Sequence, residues 1–230
     1  SIDKTIFVDE NNVEFFKRLI KNKDKVIHIN SFLLPNKSER EEYSNKLIKF
    51  LNNPEKIILI NGNIRLYKNE DLYGFNNMIE ICNTLIKNNF RIKLILVVID
   101  VENQNSDESK YYNKLKEKVK DYNILEYVFF YESENKELWP LLEKIDLFVR
   151  PTVVDGYGVS IAEAIYLGIP SIATNVCTRP NGTILCGNSR NEIYNSILDV
   201  LNNYDVYIKK IKQVNIKDSS NELLELYNNI

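Results

Sequence analysis

The chain has 230 residues, 44% of them hydrophobic and 27% charged, with 30 Lys and Arg against 32 Asp and Glu for a net charge of −2. That length buries a full core in one compact α/β domain, and the interleaved charges argue against a nucleic-acid stripe or a polybasic membrane patch. Cys82, Cys177 and Cys186 are odd in number and form no C-x-x-C pair, with no histidine nearby, which argues against a zinc site or a disulfide framework and for a reducing cytoplasm, and Cys177 and Cys186 read as small apolar fillers.

Residues 1–24 read as a lead-in helical segment, with an amphipathic helix around 13–20. Residues 25–30 then give the first strand of the domain proper, and His28, in the alternating run Val26-Ile27-His28-Ile29, reads as a strand residue rather than a catalytic base. A helix over 35–53, opened by Pro35-Asn36-Lys37-Ser38, precedes a strand at 56–61. Further strands are expected at 92–99, 127–131, 147–150 and 170–174, with helices at 75–87, 109–119, 136–144 and 160–167. Helices over 191–214 and 221–228, separated by the break and N-cap Asp218-Ser219-Ser220-Asn221, close the chain. No run is long and apolar enough for a membrane span, and the N-terminus lacks the form of a signal peptide, so a soluble chain is expected.

Strand and helix alternate, which is the pattern of a doubly wound parallel sheet of Rossmann-like α/β class with right-handed crossovers. Ligands of such sheets bind at the carboxyl ends of the strands, so the loops after Asn61, Ile99, Tyr131, Arg150 and Thr174 form one rim. On that rim Gly156 and Gly158 turn the chain into a helix. The turn leaves the N–H groups of Gly158, Val159 and Ser160 uncovered at the positive end of the macrodipole, where a diphosphate fits. A plain strand-to-helix turn is the alternative. Asp155 and Glu163 flank the position.

Asp155-Gly156-Tyr157-Gly158, followed by Glu163-Ala164, Gly168-x-Pro170 and the β-rich Ser171-Ile172-Ala173-Thr174, resembles the signature of the family-four retaining glycosyltransferases of GT-B fold. That signature usually reads Glu-Gly-Phe-Gly, then Glu-Ala, then Gly-x-Pro and a short apolar strand. The resemblance covers residues 25–200. It implies the C-terminal half of a GT-B fold, with 25–230 as a single nucleotide-sugar-binding domain and the acceptor domain supplied by an N-terminal half or a partner subunit. It further implies a UDP- or GDP-linked sugar as donor substrate, no metal or other cofactor, no nucleic acid, and transfer to a glycan or lipid-linked glycan. The setting it suggests is bacterial polysaccharide biosynthesis in the cytoplasm, at the inner face of the membrane. In the resemblance Glu163 binds the vicinal ribose hydroxyls, Asp155 lies by the donor sugar, and the backbone around Gly156, Tyr157, Gly158, Val159 and Ser160 holds the diphosphate. Aspartate in place of the usual glutamate shortens the reach of residue 155 by one methylene.

The run Asn61-Gly62-Asn63-Ile64-Arg65-Leu66-Tyr67-Lys68 resembles the family's glycine loop with its phosphate-binding Arg and Lys. The resemblance implies Gly62 and Asn63 at the donor, and Arg65 and Lys68 as cations that neutralise charge on the leaving nucleoside diphosphate. Arg usually follows the glycine directly, where Asn63 stands, whereas Lys68 keeps the expected spacing. A solvated loop with ordinary Arg and Lys is the alternative. Residues 131–139 correspond to a region near the nucleotide base, and Trp139 reads as a core anchor. For Arg150 and Arg179 the sequence leaves open a phosphate, an acidic acceptor sugar or a structural ion pair. Paired carboxylates also suit a glycosidase, which has no need of a phosphate loop. The alternative function is a non-catalytic nucleotide or nucleotide-sugar-binding regulatory module.

Overall fold

The computed structural model describes residues 4–8, 10–35, 43–52, 54–133 and 137–229. The strands are β1 (Thr5–Phe7), β2 (Val26–His28), β3 (Lys56–Asn63), β4 (Leu66–Tyr67), β5 (Glu70–Asp71), β6 (Ile92–Ile99), β7 (Val128–Ser133), β8 (Leu147–Arg150), β9 (Ser171–Thr174) and β10 (Ile184–Cys186). The helices are α1 (Glu10–Leu19), α2 (Asn45–Leu51), α3 (Phe75–Lys87), α4 (Ser106–Asp121), α5 (Trp139–Leu142), α6 (Val159–Tyr166), α7 (Arg190–Asn202), α8 (Tyr204–Ile211) and α9 (Ser220–Asn228). Six strands form one sheet in the order β10-β9-β8-β3-β6-β7, and every neighbouring pair is parallel. The doubly wound α/β class expected from the alternation is the observed fold.

Side chains one residue apart on a strand face opposite ways, and the two cores follow that period. Ile58 and Ile60 of β3, with Leu94, Leu96 and Val98 of β6, pack against Phe75 and Met78 of α3, Leu115 of α4 and Ile193 of α7. Ile57 and Leu59 of β3, with Ile95 and Val97 of β6, meet Leu47 of α2, Leu142 of α5 and Ile161 and Ile165 of α6 on the other face. The central strands are buried on both sides, which is why they read as unbroken apolar runs. From β3 the chain winds outward through β6 and β7, then returns to the opposite flank of β3 with β8, β9 and β10. The switch point lies between β3 and β8, where ligands of such sheets bind at the strands' carboxyl ends.

Several elements differ from the sequence pattern. The expected strand at 25–30 is β2, and it pairs in parallel with β1 rather than joining the main sheet. Segment 1–24 therefore holds a strand as well as α1; three residues are too few to show a period. The helix expected over 35–53 is α2 alone within the described part, and residues 36–42 lie outside the described residues. The helix expected over 136–144 is the single turn α5, with 134–136 outside the described residues. The 191–214 helix breaks at Asn203, whose side-chain amide folds back onto the carbonyl and carboxylate of Asp199 at 3.2 and 2.7 Å. The β4–β5 hairpin and β10 are additions that the apolar pattern did not signal.

Candidate nucleotide-sugar site

The rim at the switch point is built first from β3 and the segment that follows it. Gly62 is required by close approach, because a Cβ at this position would run into the ring of Tyr73. The Arg150 guanidinium, at the end of β8, stacks on the Tyr73 ring with its carbon 4.9 Å from the centroid. Its Nη1 donates to the Asn61 carbonyl at 3.1 Å and to the Asn61 side-chain oxygen at 3.2 Å, crossing from β8 to β3 at the switch point. The Asn61 amide in turn donates to Ser160 Oγ at 3.1 Å, in the first turn of α6.

Asp155 lies at the centre of this arrangement. Arg150 grips it bidentately, Nε to Oδ2 at 2.9 Å and Nη2 to Oδ1 at 3.1 Å, and Arg179 Nη1 donates to Oδ2 at 2.6 Å. Thr152 Oγ1 and the Gly156 N–H add bonds at 3.2 and 3.0 Å. A carboxylate offers about four lone-pair sites, so none is left for a sugar hydroxyl in this arrangement. Burial alone raises the Asp155 pKa, but the hydrogen bonds and charges of Arg150 and Arg179 outweigh it and hold the carboxyl at about 2. The carboxylate that the resemblance places by the donor sugar is thus engaged by an ion-pair network in this structure, and both Arg150 and Arg179 belong to that network.

Gly158 caps α6 in the left-handed region, φ 87°, with no side-chain capping bond. A Cβ here would be strained and would meet Ile161 Cδ1 at 2.7 Å, so a larger residue disturbs the fold as well as any ligand. The N–H groups of Gly158, Val159 and Ser160 have no acceptor among the described residues. One turn on, Glu163 is half-buried, and it too has no hydrogen-bond or ion-pair partner among the described residues. Burial, with a smaller contribution from the charge of Glu137, pushes its pKa up to about 7. An uncapped helix N-terminus, a guanidinium and an unpartnered carboxyl thus share one rim.

The remaining expected residues stand outside this hydrogen-bond network. Tyr157 is 8% exposed and packs in the α6 core, although it also lines a cavity of about 270 Å³ with His28, Asn30 and Arg179. Arg65 is turned to solvent, its side chain 61% exposed and its Nε 3.8 Å from Glu108. Lys68 sits at the β4–β5 turn with φ 51° and its amine 5.3 Å from the Tyr67 ring. The β4–β5 hairpin lies between β3 and Gly74, the N-cap of α3. Asn63 ends β3 opposite Ile99. Trp139 is 1% exposed, a core anchor. Asn61, Tyr73 and Thr152 were missed by sequence reasoning. The available signal was Arg150 itself, since a charged residue closing a buried strand needs a nearby counter-charge. Among the described residues no group of three His, Cys, Asp or Glu side chains is placed to hold a metal ion, and no helix is long and apolar enough to cross a membrane.

The family model described as glycosyl transferases group 1 matches residues 51–214. Comparison with curated proteins gives no match. Among solved structures the chain is similar to a glycosyltransferase from Rickettsia africae, with TM-score 0.68 and 15% identity over 92% of this chain and 56% of that one. It is also similar to HepE of Anabaena, solved in complex with UDP, with TM-score 0.68 and 14% identity over 91% and 57%. Sucrose-phosphate synthase from Thermosynechococcus elongatus gives TM-score 0.67 and 16% identity over 99% and 59%. At these identities the likeness is one of fold. The chain spans a little over half the length of each of these proteins.

Proposed function

The chain belongs to the glycosyl transferases group 1 family, and on that premise we propose that it is the donor-binding half of a retaining, metal-independent GT-B glycosyltransferase. The observation that carries this reading is the uncapped N-terminus of α6, with the Arg150 network on one side and Glu163 on the other. Three free N–H groups at the positive end of a helix suit a diphosphate. The Glu163 carboxylate suits a ribose cis-diol, because it accepts two hydroxyl donors at once. As the nucleoside diphosphate leaves, charge grows on its phosphates, and donors already fixed around it lower the barrier without reorganising. HepE is solved with UDP, which supports UDP as the first nucleotide to test. The acceptor is a glycan or lipid-linked glycan at the inner face of the membrane, and it is presented by a second domain across the cleft.

One observation favours a second reading, a nucleotide-sugar-binding module that transfers nothing. Arg65 and Lys68, the cations implied for the leaving group, make other contacts here: Arg65 Nε lies 3.8 Å from Glu108 and the Lys68 amine lies 5.3 Å from the Tyr67 ring centroid. Both readings predict donor binding, and only the first predicts transfer.

A thermal-shift panel of UDP, GDP, ADP and their sugar conjugates, with and without EDTA, tests the shared part. A ligand that binds only the folded chain raises its melting temperature by mass action. A base-selective rise insensitive to EDTA is expected, and equal, negligible shifts for all nucleotides at saturating concentration would reject donor binding.

A further inference from the structure

Counting donors separates the two arginines. A guanidinium carries five N–H groups. All five of Arg179 are engaged: Nε to the Thr174 carbonyl at 3.1 Å, Nη1 to Asp155 and the Gly156 carbonyl at 2.6 and 3.4 Å, and Nη2 to the hydroxyls of Thr152 and Thr174 at 3.1 and 3.5 Å. Its side chain is 1% exposed. Arg150 makes four such contacts, two to Asp155 and two to Asn61, which leaves one Nη2 N–H with no acceptor among the described residues. Its side chain keeps 13% exposure. Two guanidiniums against one carboxylate leave a net positive charge, and only Arg150 has the donor and the exposure to present it. Through Asn61, Arg150 is two hydrogen bonds from Ser160 in the first turn of α6.

We propose that Arg150 is the cation that contacts the diphosphate in this chain, and that Asp155 and Arg179 are positioning residues that hold its guanidinium beside the N-terminus of α6. The proposal rests on the reading of that terminus as a nucleoside-diphosphate site. Asp155 fixes the plane of the guanidinium through two bonds, Tyr73 supports one face, and Arg179 ties Asp155 to the ends of β8 and β9 through Thr152 and Thr174. The Asp155 carboxyl is held ionised far below neutral pH, so the clamp stays charged throughout the working range. A guanidinium fixed in this way loses little freedom when it binds a phosphate.

The test measures affinities of wild type, Arg150→Lys and Arg150→Gln for whichever of UDP and GDP the wild type binds, and for the matching nucleoside, with urea stability recorded for each variant. Arg150→Gln is expected to weaken the diphosphate tenfold to about a hundredfold, the span of a charge-assisted bond, and to leave the nucleoside within about twofold. Arg150→Lys, which keeps the charge but not the fork, is expected to fall between. Should the glutamine variant not fold, the lysine variant still reads the contrast between diphosphate and nucleoside. Wild-type binding with equal losses for both ligands, or no loss for the diphosphate, would overturn the proposal. Failure of the wild type to bind either diphosphate would instead overturn the site reading, and the proposal with it.

Discussion

Replacing Asp155 with alanine is expected to destabilise the free chain by about 3–5 kcal/mol at neutral pH, the cost of leaving two buried guanidiniums without their counter-charge. The side chains concerned are 12%, 13% and 1% exposed, so water does little to screen the loss. The dependence on pH follows from the lowered pKa. Asp155 titrates at about 2 in the folded chain against an ordinary aspartate value of 3.8. Its ionic contribution, about 2 kcal/mol, is therefore present above pH 4 and disappears as pH falls through the folded value. Urea denaturation of wild type and variant should show a large gap at pH 7 that narrows as the pH drops toward 3. A gap under about 1 kcal/mol at pH 7 would mean that the network is not formed in solution.

Glu163→Gln is expected to move stability and binding in opposite directions. Its folded pKa, about 7, lies above the ordinary glutamate value of 4.5. The folded chain thus gains stability from holding the proton, fully so below pH 4.5, and loses that gain as pH rises through 7. Above pH 7 the ionised, unpartnered carboxylate costs the free chain about 2 kcal/mol, discounted for partial exposure, which glutamine removes. The variant should accordingly be more stable than wild type by about 2 kcal/mol at pH 8 and by less than about 1 kcal/mol at pH 5. The same change should weaken the bound nucleotide by about 1–3 kcal/mol, since a neutral amide is a poorer acceptor for ribose hydroxyls. For wild type, affinity should rise with pH through 7 and binding near pH 7 should release protons. Denaturation at the two pH values and calorimetry in buffers of different ionisation enthalpy check both halves. Equal stability gaps at pH 5 and pH 8, or unchanged affinity, would remove Glu163 from this role.

The parts of the fold most legible in sequence are those with the strongest local signal. The runs of β3 and β6 are long and apolar because both faces are covered, so their class and place needed no knowledge of partners. The pairing of β2 with β1 was not legible, since an edge of three residues carries no period and pairing is decided by tertiary contact. The hairpin between Gly62 and Gly74 was not legible for a different reason. The Lys68-Asn69 turn, with φ values of 51° and 66°, folds the loop into a hairpin and carries Lys68 to its tip. The α6 motif was legible because glycine, helix start and carboxylate lie within nine residues, 155–163. The occupation of Asp155 was not, because it takes Arg179, 24 residues away, to complete it.

The central claim is that a nucleoside diphosphate sits at the N-terminus of α6, and an amide-resolved NMR titration of the 230-residue chain with UDP or GDP tests it most directly. The account predicts saturable shifts concentrated at Gly156 to Ser160 and Asn61, together with the side-chain Nε–H of Arg150. Shifts confined to another surface, such as the cavity lined by Leu66, Asp71, Tyr111 and Asn188, would contradict it.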